Sequence, residues 1–123
     1  MRKILIVDDS RVVRIVIRRI LESLGFTSDE VSDGQQALDY LKTNGPPDAV
    51  ILDIIMPEMD GMTCLRAIRQ DQQFQKCPII MCSTQNSPAE IAEAVAAGAN
   101  EYVMKPFSEE ILADKLRQVG LIE

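Results

Sequence analysis

Asp48-Ala49-Val50-Ile51-Leu52-Asp53 decides the fold of this chain. From Ala49 to Leu52 it is apolar without alternation, and it stops on a carboxylate. A strand with one wet face alternates apolar and polar residues, whereas a strand covered on both faces does not. Lys3-Ile4-Leu5-Ile6-Val7 has the same form and runs into Asp8-Asp9, and Pro78-Ile79-Ile80-Met81-Cys82 runs into Ser83-Thr84. Phe26 to Val31 is a weaker, polar strand suited to a sheet edge, and Glu101 to Met104 completes five.

The segments between these strands read as helices. Ser10 is placed to cap the first, which runs through Leu24 and stops at Gly25. Gly34 to Lys42 forms the second, ending at Asn44-Gly45. Met56 to Gly61 is a loop, and the third helix runs from about Met62 to Gln70. Ser87-Pro88-Ala89-Glu90 has the form of a capping box opening the fourth, closed by Gly98. Ser108 caps the fifth, with Glu109 and Glu110 where the helix dipole favours them, and Gly120 ends it. Alternating buried strands and helices imply an α/β fold, a five-stranded parallel sheet with helices on both faces, occupying residues 1–123 as one domain. In such folds ligands sit beyond the carboxyl ends of the strands.

Composition narrows the function. The 123 residues are 46% hydrophobic and 26% charged, an ordinary globular balance. No apolar stretch approaches the roughly 18 residues of a membrane span, and the start has no signal-peptide form, so a cytoplasmic location is expected. The net charge of −6 argues against nucleic acid and anionic membrane as partners. The chain has no histidine, which excludes a Ser-His-Asp triad, a Cys-His pair and a His-ligated zinc site. The cysteines Cys64, Cys77 and Cys82 form no C-x-x-C, and Cys82 reads as a small core residue.

Four strand ends therefore carry the chemistry: Asp8-Asp9, Asp53, Ser83-Thr84 and Lys105. Three carboxylates about 5 Å apart repel by roughly 3 kcal/mol per pair at an effective dielectric near 20. A hard divalent cation such as Mg²⁺ offsets that repulsion, aided by Lys105. Nothing local asks Asp53 to cap a turn. A buried carboxylate facing a cation and a lysine suits phosphoryl transfer, with Asp53 as the nucleophile and Ser83 as a hydrogen-bond donor to the phosphoryl oxygens.

Ile6-Val7-Asp8-Asp9-Ser10, Leu52-Asp53-Ile54-Ile55-Met56-Pro57-Glu58-Met59-Asp60-Gly61 and Tyr102-Val103-Met104-Lys105-Pro106-Phe107 resemble the signature segments of bacterial response-regulator receiver domains, of the single-domain chemotaxis type. The resemblance covers the whole chain. It implies a flavodoxin-like sheet of order 2-1-3-4-5. It implies Asp53 as phosphoacceptor, Mg²⁺ held by Asp8, Asp9, Asp53 and the backbone carbonyl of Ile55, and Lys105 on the phosphoryl group, with a Lys105–Pro106 bond that is often cis. Ser83 and Tyr102 match the switch hydroxyl and the switch aromatic. The implied partners are a histidine kinase or histidine phosphotransfer domain as phosphodonor and a protein output target such as a flagellar motor switch, the chain itself being a monomer. Ile55 departs from fast-hydrolysing members, which carry a polar residue there.

On the first helix, Arg11, Arg14 and Arg18 form a stripe around Ile15, read as outward. That stripe is either a solvated face or a docking face for the phosphodonor, while Val13, Val16, Ile20 and Leu24 form the expected core stripe. The leading function is a stand-alone receiver, with a phosphorelay shuttle or phosphate sink as the alternative. An aspartate-nucleophile phosphatase needs a second acid where Ile55 stands. A flavin-binding flavodoxin needs a glycine- and hydroxyl-rich loop where Asp8-Asp9 stands.

Overall fold

The computed structural model describes residues 2–56, 59–84 and 87–122. Pro57 and Glu58, within the expected Met56–Gly61 loop, lie outside the described residues. The strands are β1 (Lys3–Val7), β2 (Thr27–Val31), β3 (Ala49–Asp53), β4 (Ile79–Ser83) and β5 (Glu101–Met104). The helices are α1 (Arg11–Ser23), α2 (Gly34–Asn44), α3 (Gly61–Gln70), α4 (Pro88–Ala96) and α5 (Glu109–Gln118). A short 3₁₀ turn at Gln72–Phe74, not expected from the sequence, follows α3. All neighbouring strands are parallel, in the order β2-β1-β3-β4-β5.

Alternate strand residues feed two cores, the two-residue period of the pleat acting on strands that are apolar throughout. Leu5, Val7, Val50, Leu52, Ile79 and Met81 pack with Ala37 and Leu41 of α2, Cys64 and Leu65 of α3 and Ala94 of α4. Ile4, Ile6, Ile51, Ile80 and Val103 pack with Ile17 and Leu21 of α1 and Leu112 and Leu116 of α5. α1 and α5 therefore cover one face of the sheet, and α2, α3 and α4 the other. None of the described helices is long and apolar enough to cross a membrane.

Caps follow the sequence in part. Ser10 accepts from Val13 N–H and Ser108 from Ile111 N–H. Asp33 and Asp60 cap α2 and α3 in the same way. Ser87 makes no side-chain capping bond, so the capping box expected at α4 is not formed, although Pro88 opens that helix. Its fixed φ and missing N–H suit a first turn without any hydroxyl.

The core stripe of α1 also differs from expectation. Ile17 and Leu21 are its buried residues, flanked by half-buried Val13, Ile20 and Leu24. Val16 is 47% exposed and Val12 71%. The apolar residues of α1 form one face wider than its contact with the sheet, so periodicity alone does not select which edge of that face is buried.

Candidate phosphoacceptor site

β1, β3, β4 and β5 are parallel, so their carboxyl ends meet at one edge and bring Asp8, Asp53, Ser83 and Lys105 together. Asp8, Asp53 and Ser83 are buried. Lys105 Nζ lies 2.6 Å from Asp8 Oδ2 and 3.1 Å from Asp53 Oδ1. One ligand atom from each of Asp8, Asp53 and Cys82 lies within 4.8 Å of the others. Asp9 stands exposed at the rim, and the Lys105–Pro106 peptide bond is cis.

Asp8 is fixed at every polar atom. Its N–H donates to Val31 O, its Oδ1 accepts from Ser10 N–H at 2.9 Å, and its carbonyl accepts from Arg14 Nη1 at 2.6 Å. Asp53 is held differently. Burial raises its pKa above the ordinary carboxylate value, Lys105 opposes that, and the Asp8 charge adds to it. The nearby Ile55 backbone N–H, like Lys105, pulls the Asp53 pKa back down. Burial pulls the Lys105 pKa down, but the hydrogen bond to Asp8 and the neighbouring negative groups leave it raised. The lysine is therefore an ammonium across the neutral range. Burial pushes the Cys82 thiol up to about 12, so it stays protonated beside the carboxylates.

The donor set fits a hard cation. Two buried carboxylates share one ammonium, leaving negative charge uncompensated, with Asp9 adding more at the rim. The oxygens of Asp8, Asp9 and Asp53 and the Ile55 carbonyl are the ligand type that Mg²⁺ takes. The neutral Cys82 thiol is not.

Gly61 makes the approach of α3 possible. A Cβ there would lie 2.1 Å from Asp53 O and 2.6 Å from Ile54 Cα, and its N–H donates to Ile54 O at 2.7 Å. The Asp60-Gly61 pair thus seats α3 against the backbone that carries Asp53.

Tyr102 is half-buried on β5 and hydrogen-bonded to Ser83. Burial raises its pKa, and the Ser83 bond partly offsets that. The two expected switch residues are therefore in contact across neighbouring strands.

The arginine stripe is not a free surface. Arg14 and Arg18 both turn onto Glu30 of β2, at 3.3 Å and 2.8 Å. Ile15 is half-buried rather than outward, while Arg11 is exposed. A carboxylate on the neighbouring strand offers two guanidinium groups a partner that the helix pattern does not reveal. The exposed apolar surface of α1 is instead Val12 and Val16. They line a groove of about 330 Å³ with Thr84, Lys105, Pro106 and Phe107, directly beside the carboxylates. Sequence reading missed this groove, and it missed Glu30 and the Arg14 contact to Asp8.

A parallel sheet of this order, with paired aspartates, a third aspartate and a lysine at its strand ends, is the fold of a signalling receiver. The chain belongs to the response regulator receiver domain family, which matches residues 4–117. Within it, the chain is similar to chemotaxis receivers. It is 38% identical to chemotaxis protein CheY1 of Helicobacter pylori, over 95% of each chain. It is 40% identical to chemotaxis protein CheY of Pseudomonas aeruginosa, over 95% of this chain and 94% of that one. The solved structure of chemotaxis protein CheY4 of Vibrio cholerae superposes with a TM-score of 0.90 at 34% identity, over 97% of this chain and 98% of that one.

Proposed function

We propose that this receiver accepts a phosphoryl group on Asp53 from a phosphohistidine of a histidine kinase or phosphotransfer domain. The observation that carries this is the single ammonium of Lys105 bridging two buried carboxylates, Asp8 and Asp53. An Asp53 oxygen attacks phosphorus, the P–N bond of the donor breaks, and its electron pair stays on the imidazole. Asp53 needs no general base, because it reacts as the carboxylate. Lys105 neutralises the transferred group's oxygens, and Ser83 donates a hydrogen bond to them. Asp8, Asp9, Asp53 and the Ile55 carbonyl hold Mg²⁺, which supplies charge neutralisation on the phosphoryl oxygens when bound.

The Ser83–Tyr102 contact supports the output. Drawing Ser83 toward a phosphorylated Asp53 changes what its hydroxyl offers Tyr102, and so changes the surface presented by β5. The names of its relatives favour a chemotaxis output, read as binding to a cytoplasmic protein target such as a flagellar motor switch. The Val12–Val16 groove beside Lys105 supports docking of the phosphodonor there, in place of the Arg14–Ile15 stripe.

Incubation with acetyl phosphate and Mg²⁺ tests the chemistry. A base-labile, acid-stable adduct is expected on the Asp53 peptide, absent in Asp53→Asn and in excess EDTA. Undiminished labelling in either control overturns the assignment it tests.

A further inference from the structure

Arg14 carries a role that its place on a helix face does not suggest. Its Nη1 donates to the backbone carbonyl of Asp8 at 2.6 Å, while its Nε donates to Glu30 Oε1 at 3.3 Å. Glu30 Oε2 accepts from Arg18 Nη1 at 2.8 Å, so each carboxylate oxygen faces a guanidinium. Arg14 and Glu30 are both largely buried. The carbonyl that Arg14 holds belongs to the peptide joining Asp8 to Asp9. A charged donor on it fixes the plane of that peptide, and with it the direction in which the Asp9 side chain leaves the backbone.

We propose that Arg14, braced by Glu30, is a positioning residue for the cation-holding carboxylates Asp8 and Asp9. It does not touch the reacting atoms. This rests on the reading of Asp8 and Asp9 as Mg²⁺ ligands. The rigid fork of a guanidinium spans the carbonyl and Glu30 at once, whereas a lysine ammonium is a single point on a flexible stem.

Charge alone predicts the opposite behaviour, which makes the inference testable. Removing a positive group near the site tightens cation binding if Arg14 acts only through its field. It weakens binding if Arg14 positions the carboxylates. Arg14→Lys keeps the charge, so a field effect leaves affinity unchanged and a positioning effect still weakens it.

The experiment is titration of the full chain with MgCl₂ by calorimetry, with thermal melts in EDTA alongside. Arg14→Gln is expected to raise the Mg²⁺ Kd about five- to tenfold, and Arg14→Lys and Glu30→Gln about two- to threefold. Labelling by acetyl phosphate should need correspondingly more Mg²⁺ in Arg14→Gln, yet approach the unsubstituted rate at saturation. A Kd that is unchanged or tighter in Arg14→Gln overturns the proposal. So does a lowered melting temperature in EDTA with an unchanged Kd, which marks a structural pin between α1 and β2. If Arg14→Gln does not fold, Arg14→Lys carries the comparison, because it keeps the charge; Glu30→Gln removes a negative group and weakens binding on either account. Failure of the unsubstituted chain to bind Mg²⁺ overturns the ligand reading itself, whereas normal binding with unaffected variants overturns only the positioning role.

Discussion

Lys105 Nζ lies 3.1 Å from Asp53 Oδ1 while making its shorter contact, 2.6 Å, to Asp8. The ammonium thus sits closer to the carboxylate of β1 than to that of β3. Asp53 is left the less compensated of the two, with its pKa raised by burial. That imbalance has consequences for stability as well as for chemistry.

In the cation-free protein, Asp53→Asn should be stabilising at neutral pH. A carboxylate whose folded pKa lies above its unfolded value contributes stability that is fully present below the unfolded pKa and lost as pH rises through the folded one. The asparagine has no such loss, and Lys105 keeps Asp8 as its partner. The melting temperature in EDTA should rise by roughly 3–5 °C at pH 7, what about 1 kcal/mol produces in a domain of this size. The difference should shrink toward pH 4. A variant that melts lower than the unsubstituted chain at pH 7 contradicts this account of Asp53.

Gly61→Ala should disrupt the site through the backbone. Its Cβ meets Asp53 O at 2.1 Å, and backbone cannot yield as a side-chain tip can. Overpacking of this kind costs roughly 2–3 kcal/mol. Denaturant unfolding should show that loss, together with slower labelling of Asp53. Unchanged stability would mean that α3 moves away freely.

Ile55, two residues from Asp53, is 52% exposed, with an apolar side chain that cannot orient water. An adduct on Asp53 should therefore decay several-fold more slowly than in Ile55→Asn. Loss of radiolabel after removal of the donor measures it, and equal decay rates remove Ile55 from the account.

Val16→Asp should separate docking from chemistry. An exposed apolar anchor in a small interface is worth about 1–2 kcal/mol, so transfer from a phosphohistidine protein should slow roughly tenfold. Reaction with acetyl phosphate, which needs no docking, should keep its rate. If both rates fall together, α1 supports the site's geometry; if neither falls, the groove is not the docking surface.

The sheet and its two covered faces were legible because strands such as Val50-Ile51-Leu52 are apolar without a break, and the caps at Ser10 and Ser108 are local to their helices. Asp8, Asp53, Ser83 and Lys105 were legible because strand direction alone sends them to one edge. By itself the sequence determined the order of elements, the acidic strand ends and the identity of the ammonium among them. Tertiary structure decided how those groups are shared. Arg14 pairs with Glu30, sixteen positions away, rather than facing a partner, and α1 buries Ile17 and Leu21 while leaving Val12 and Val16 out. The reason is physical: strand-end chemistry depends on chain direction, which periodicity encodes. The roll of an amphipathic helix and the choice of a buried ion pair depend on what the neighbouring strand presents, and only packing brings that within reach.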